Sequence, residues 1–346
     1  MKEEAKLNFY SINKCGYYNF GKGDPEFGSV KNILQQLNEW AKRPDFTLES
    51  TCTYSTDNDE DDSLRTFCFD IIRNKKTGDF FLTTWNETPT TFGQVASVEA
   101  DQPVGQADVK MNEIVEGTIP GYATYFWFMP EHDVFATVRF QHTFNGHRSL
   151  VKYLNGFLET HSPYAVKRFI DDDNIEVLGY RDNEKDEIEK LNPSFRSRLL
   201  RKGGEVDLIK QKCASIRNII RKSTLNLEVE EEKSLATKML EKMGIFQGCN
   251  GRQELSVKYN IPYTPTNDDI SSIIENAFEE GLSWHNDVGF QFTGKSEVTW
   301  LSNSIIKRDF DLNVERENDE VVNLLSLGKQ LSSQRQIVVN ILNGAQ

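Results

Sequence analysis

The chain has 346 residues, of which 40 are Lys or Arg and 53 are Asp or Glu, so its formal net charge is −13. With 38% apolar and 27% charged residues it has the composition of a folded globular protein, and its length allows two domains. No apolar run approaches the ~20 residues that cross a bilayer, and the first residues are polar. The five cysteines form no C-x-x-C pair. These features predict a cytoplasmic protein that does not span a membrane, and they argue against a disulfide framework.

The first half of the chain predicts strands in hairpins, with amphipathic helices between them. In chain order the predicted elements are a strand at 7–13, a helix at 30–41 capped by Ser29, a hairpin at 64–73 and 79–85, a second hairpin at 122–128 and 134–140, a helix at 150–158 and a strand at 175–180. Together they predict an α+β domain at residues 1–182, with an antiparallel sheet and helices on one of its faces.

The second half predicts a mainly helical domain at residues 183–346, beginning with a basic helical segment and containing a few strands. Helices are predicted at 205–221, 232–243 and 268–280 and along 321–342, and strands at 290–300 and 305–314. The acidic segment at 182–190 is the predicted boundary between the two domains. The whole chain is therefore predicted to be an α+β protein with a mostly helical second domain.

Charge is segregated along the sequence. Residues 196–222 carry nine bases and two acids, a net charge of +7, so the remaining residues carry −20. The nine bases are Arg196, Arg198, Arg201, Lys202, Lys210, Lys212, Arg217, Arg221 and Lys222. On a helix at 205–221, Lys210, Arg217 and Arg221 would lie on one side, beside an apolar stripe. Such a row is typical of a phosphate-contacting helix, although the same bases could instead pair with the flanking acids.

One segment matches the residue pattern of a nucleotide-binding motif but lacks the structural context that the motif requires. Residues 289–296 satisfy G-x-x-x-x-G-K-[ST], in which backbone amides cradle phosphates and a hydroxyl binds Mg²⁺. That chemistry requires a buried strand directly before the loop, and residues 282–288 are too polar for one. The segment is therefore interpreted as a strand followed by a turn.

Histidines and cysteines show no spacing typical of a metal site or of a catalytic nucleophile. The sequence accordingly predicts no cofactor, no metal ion and no catalytic residue, and it favours a binding protein over an enzyme. One enzymatic alternative stays open. Asp70, with Lys75, Lys76 and Asp79 around the following turn, could serve a metal-dependent nuclease.

The order of elements in residues 7–180 resembles the A component of the Rex superinfection-exclusion system of lambdoid phage. The resemblance is carried by the strand with Phe9 and Tyr10, the helix after it, the hairpin ending in residues 80–84, the pair of segments 119–122 and 135–140, and the helix at 150–158. It implies a non-enzymatic, two-domain, dimeric protein that binds double-stranded DNA without sequence preference, acts against infecting phage and works with a separate membrane or effector partner.

These observations lead to a functional hypothesis with two alternatives. We expect a sequence-independent nucleic-acid-binding protein of an antiphage or superinfection-exclusion system, which contacts phosphates through the nine bases of residues 196–222. The first alternative is an acidic protein-interaction module, or an inhibitor that imitates nucleic acid and engages a basic partner through the −20 surface. The second is the nuclease.

Overall fold

The computed structural model describes residues 2–56, 64–88, 95–99, 109–112, 117–140, 146–169, 175–183, 186–201, 203–226, 254–279 and 286–343. The chain divides into two compact units. Unit 1 comprises Met1–Leu200 and Lys307–Asn343, and unit 2 comprises Arg201–Ile306. Unit 2 thus interrupts unit 1 in sequence, whereas the predicted boundary at 182/183 divides the chain only once.

Strands outnumber α-helices by fifteen to five in the described residues. The strands are β1 (Lys2–Tyr18), β2 (Thr66–Arg73), β3 (Phe80–Glu87), β4 (Val95–Glu99), β5 (Val109–Asn112), β6 (Thr118–Met129), β7 (Val134–Arg139), β8 (Ala165–Phe169), β9 (Ile175–Tyr180), β10 (Asn192–Leu199), β11 (Ile216–Asn226), β12 (Glu254–Ile261), β13 (Asp287–Phe292), β14 (Val298–Trp300) and β15 (Lys307–Asn313). The α-helices are α1 (Val30–Ala41), α2 (His147–Gly156), α3 (Gly203–Gln211), α4 (Asn267–Glu279) and α5 (Leu324–Asn343). Within the described residues, no helix combines the length and apolar character needed to span a bilayer.

Unit 1 is built on a nine-stranded antiparallel sheet in the order β10-β1-β7-β6-β3-β2, with β15 beside β1, β4 beside β6 and β5 beside β4. Strands β8 and β9 form a separate hairpin. The predicted helix α1 and both predicted hairpins are confirmed. The side chain of Ser29 caps α1 by accepting a hydrogen bond from the backbone N–H of Asn32.

Helices cover both faces of this sheet, so the prediction of helices on one face is wrong. Phe80 and Leu82 of β3 share a buried cluster with the apolar faces of α1 and α2. Phe81 points to the opposite face, because neighbouring strand residues alternate. There it meets α5, where a Cβ on Gly328 would lie only 3.1 Å from the Phe81 ring. The C-terminal helix that was expected in a second domain is therefore part of unit 1.

Both connections to unit 2 lie beside neighbouring residues of the same strand, β1. The backbone N–H of Leu200 donates to the carbonyl of Phe9 at 2.7 Å, directly after β10. Lys307, where the chain returns, is the first residue of β15 and the register partner of Asn8 of β1. Strands β10 and β15 therefore follow one another along β1, and unit 2 is an insertion between them.

Unit 2 contains a four-stranded antiparallel sheet in the order β12-β11-β13-β14, with α3 and α4 contributing to one buried cluster. A mostly helical second domain is therefore wrong. The predicted helix at 205–221 exists only as α3, which ends at Gln211, and the chain continues as β11 from Ile216. Predicted helix 232–243 lies outside the described residues.

The prediction of a helix at 205–221 was wrong because the spacing of its isoleucines fits both a helix and a strand. Ile216, Ile219 and Ile220 are three and four residues apart, as on a helix face, but β-branched residues also favour strands. In the structure Ile219 points toward α3 and α4. Ile220 is buried on the opposite face, and a bulge lies between Ile216 and Asn218. In a short segment, a strand that is buried on both faces has the same spacing of apolar residues as one face of a helix.

Candidate nucleic-acid interface

The nine predicted phosphate-binding bases do not form one row. Arg196 and Arg198 lie on β10 of unit 1, whereas the rest of the set belongs to unit 2. Of these, Arg201 precedes α3, Lys210 and Lys212 lie at its end, and Arg217, Arg221 and Lys222 lie on β11; Lys202 is outside the described residues. The single cationic helix face of Lys210, Arg217 and Arg221 is therefore wrong, because a helix end and a strand separate its members.

Lys210, Lys212 and Arg217 surround the turn between α3 and β11. All three side chains are exposed, and in the part of the chain that the structure describes none of them forms an ion pair. The backbone N–H of Thr293 donates to Ser215 at 2.7 Å and joins this turn to the one after β13, where Lys295 is also exposed. The alternative that flanking acids neutralise these bases stays open, because the acids at 228–232 lie outside the described residues. We call Lys210, Lys212, Arg217 and Lys295 the turn cluster.

A second group of cations lies on the sheet face of unit 2 that points away from α3 and α4. Lys222 of β11 and Lys258 of β12 are direct cross-strand partners. Their ammonium groups lie 3.9 Å and 5.8 Å from the centre of the Trp300 ring. A cation over an indole face is stabilised by the ring quadrupole. Lys222, Lys258 and Trp300 are called the platform below.

Gly289 allows the Trp300 ring to reach the lysines. These side chains belong to strands on either side of β13, where Gly289 is the register partner of Trp300. A Cβ at Gly289 would lie 2.8 Å from Cε3 of Trp300 and 2.4 Å from Cγ1 of Val298. The ring therefore lies across β13 at the one point where that strand lacks a side chain.

Asp287 is the acid closest in register to this platform, and its carboxylate is already engaged. It pairs with Lys222 in the β11–β13 ladder but is almost completely buried. Its Oδ2 accepts from the Ser302 hydroxyl at 2.6 Å, and its Oδ1 accepts from the backbone N–H groups of Ser302 and Val288. Burial raises the pKa of Asp287, partly opposed by the hydrogen bonds from Ser302 and Val288 and by the positive charge of Lys222. Among the described residues, no carboxylate lies within ion-pair distance of Lys222 or Lys258.

Unit 1 has a smaller group of the same type. Arg196 of β10 lies directly opposite Lys14 of β1, and Arg198 follows it on the same face. The Lys14 ammonium group lies 4.5 Å from the centre of the Tyr18 ring. Tyr18 itself is buried, so its ring face is not available for stacking with a ligand. The predicted bases of unit 1, Arg196 and Arg198, therefore offer charge without an exposed aromatic surface.

The carboxylates of the nuclease alternative are used within unit 1. Asp70 pairs with Lys42 at 3.0 Å. Asp79 is fully buried and accepts hydrogen bonds from Arg335 and from the Trp127 indole. Across the described ranges there is no group of three or more His, Cys, Asp or Glu side chains placed to hold a metal ion. The segment at 289–296 is a strand and a turn, as predicted.

Sequence reasoning missed Lys258, Lys295 and Trp300 as members of a basic surface. They lie outside the 196–222 window, and the pairing of β11 with β12 and β13 brings them to it. One signal was present in the sequence: Gly289 interrupts an apolar strand pattern, which often marks a close approach by another group.

Comparison with known protein families, with curated proteins and with solved structures gives no match for this chain. The resemblance of residues 7–180 to the Rex A component therefore stays a prediction from the sequence. The functional argument depends on the turn cluster and the platform themselves.

Proposed function

We propose that the protein binds nucleic acid without sequence preference, through phosphate contacts made by the exposed bases of unit 2. The observation that supports this most is the turn cluster, in which exposed cations from two adjoining turns are not neutralised by described acids. Lysine and arginine contacts to phosphates release counterions and read no base edges. Such a surface gives affinity that depends on salt and not on sequence.

Unit 2 can approach a polyanion although the chain is acidic. Residues 201–306 contain thirteen bases and fifteen acids, so unit 2 carries only −2 of the total charge of −13. Over a distance of about 10 Å at ordinary ionic strength, local charges dominate because distant ones are screened. The basic turns therefore determine the local interaction, and the acidic bulk of the chain disfavours contact elsewhere.

The test is a titration of the full chain with nucleic acids of unrelated sequence over a range of salt concentrations. The triple variant Lys210→Ala, Lys212→Ala, Arg217→Ala should reduce the slope of log K against log salt by about 2 to 3, as expected for three lost phosphate contacts. A matched triple variant in unit 1, Lys31→Ala, Lys75→Ala, Lys76→Ala, removes the same charge from exposed bases and should leave the slope unchanged.

Absence of binding at low salt would overturn the proposal and favour the acidic interaction module. Equal slopes for the two triple variants would place the phosphate contacts outside the turn cluster. A role in antiphage exclusion, double-stranded DNA as the ligand, a homodimer and a separate membrane or effector partner all rest on the sequence resemblance, and they remain predictions.

A further inference from the structure

The platform places two ammonium groups beside an aromatic ring, and among the described residues no carboxylate forms an ion pair with either of them; the charge of buried Asp287 reaches Lys222 without direct contact. Lys222 and Lys258 face each other across two strands, where like charges destabilise the pair. Both ammonium groups lie near one indole, and the nearest acid in register, Asp287, is buried and bound to Ser302. An anion between the two lysines would relieve this repulsion.

The indole of Trp300 gives this anion site a second binding preference, for an aromatic group. Trp300 is partly exposed and Lys258 is exposed, so both can be reached from solvent. Lys222 is held to the ring by a cation–π contact and by no described ion pair, and its flexible side chain can turn from the ring to an incoming anion. The ring surface then becomes available to a flat, aromatic group next to the anion.

A nucleotide unit carries both groups, but only in a strand whose bases are unstacked. In a duplex the faces of the bases are covered by neighbouring base pairs, so an indole cannot stack on them. In a single strand the bases can leave the stack and lie against aromatic side chains, while the backbone follows basic residues. The chemistry of the platform therefore favours a single strand over a duplex.

We propose that Lys222, Lys258 and Trp300 bind a single-stranded segment of nucleic acid, with a phosphate between the two ammonium groups and a base against the indole. This inference rests on the proposed function and specifies its ligand. It places a single strand at the platform, in contrast to the double-stranded DNA that the sequence resemblance implies. The turn cluster contributes phosphate contacts to either form of nucleic acid.

The experiment compares binding of the full chain to a fluorescently labelled oligothymidylate and to a duplex of the same length, by anisotropy. Trp300→Leu should weaken binding of the single strand by about 5- to 150-fold, the range for loss of one stacked base. Trp300→Phe, which keeps a ring, should retain most of the affinity. Lys258→Gln should lower the single-strand salt slope by about 0.7. Duplex binding should change little in all three variants.

Two controls keep the result interpretable. Lys31→Gln removes one exposed charge from α1 and should leave binding unchanged. Lys258 is exposed, so Lys258→Gln tests the platform even if Trp300→Leu unfolds unit 2. Free thymidine monophosphate at the concentration of the oligonucleotide should fail to displace it, because one nucleotide lacks the neighbouring phosphate contacts.

The outcomes separate this inference from the proposed function. If the chain binds nucleic acid but Lys258→Gln and Trp300→Leu bind the single strand like the unaltered chain, the platform is not the site and the proposed function stands. Displacement by the free nucleotide would overturn the strand as ligand in favour of a small nucleotide. Failure of the unaltered chain to bind any nucleic acid at low salt would overturn both.

Discussion

Arg335 of α5 donates from Nε to Oδ2 of Asp79 at 3.0 Å, and the Asp79 side chain is fully buried immediately before β3. The Trp127 indole donates to the same carboxylate at 3.1 Å. This ion pair attaches the last helix of the chain to the sheet of unit 1, on the face opposite α1 and α2.

Replacing Arg335 by Met should destabilise unit 1 by about 3–5 kcal/mol, because it leaves a buried carboxylate without its cation. Chemical denaturation of the full chain, followed by tryptophan fluorescence, would measure the loss. Glu131→Gln removes the exposed second partner of Arg335 and should cost less than about 1 kcal/mol. If the two substitutions lowered the free energy of unfolding equally, the ion pair with Asp79 would not be the main stabilising contact of Arg335.

Gly289→Ala should destabilise unit 2 by about 1–3 kcal/mol, the usual cost of forcing one extra methyl group into a filled space. The new Cβ would meet Val298 and the Trp300 ring at distances that no side chain tolerates. Gly23→Ala is a suitable control, since nothing lies within 4 Å of a Cβ at that position. Thermal unfolding measures both effects. A neutral Gly289→Ala would show that the Trp300 ring does not depend on this gap.

Lys258→Glu should raise the stability of unit 2 by about 0.2–1 kcal/mol, because it replaces a like-charge cross-strand pair with an opposite-charge pair to Lys222. The same substitution should weaken binding of a single strand, because it neutralises the anion site. Denaturation and anisotropy measured on one preparation would show the two opposite changes. A variant that loses both stability and binding would indicate that Lys258 has a structural role.

Lowering the pH should destabilise unit 1 through His147. Its ring stacks on Tyr10 at 4.2 Å, its Nε2 lies 2.9 Å from the Ser197 hydroxyl, and burial lowers its pKa from 6.5 to about 4. Between these values the unfolded chain binds more protons than the folded one, so stability is retained above pH 6.5 and falls toward pH 4, by up to about 3 kcal/mol.

His147→Phe tests this assignment because it keeps a ring beside Tyr10 but cannot bind a proton. The free energy of unfolding of the variant, measured from pH 7 to pH 4, should fall less steeply than that of the unaltered chain. A variant with the original pH dependence would exclude His147 as its source.

Local signals in the sequence predicted much of unit 1. Ser29 and the apolar spacing from Val30 to Ala41 determine α1 within a single segment. The hairpin between β2 and β3 is likewise encoded by adjacent strands and the turn at 74–78. Such elements require no information about distant residues, so their prediction succeeded.

The elements and the site that the sequence did not predict depend on pairing between residues that are far apart in the chain. Ile219 and Ile220 point to opposite faces because pairing with β12 and β13 makes this segment a strand. Lys222, Lys258 and Trp300 are far apart in the sequence, and no local pattern joins them. The pairing of β15 with β1 could not be predicted from the sequence either, because a strand carries no local signal of its partner.

The insertion of unit 2 also has a consequence for the folding of unit 1. Arg201 and Ile305 form an isolated β-bridge, so folded unit 2 holds the two flanking points of the chain about 5 Å apart. If unit 2 is unfolded, pairing of β15 and α5 with the sheet must close a flexible loop of 106 residues. Replacing that loop with a link of a few residues lowers the entropy cost of closure by about 3 kcal/mol. A ligand that stabilises unit 2 should therefore also delay the detachment of β15 and α5 on heating, without touching either element.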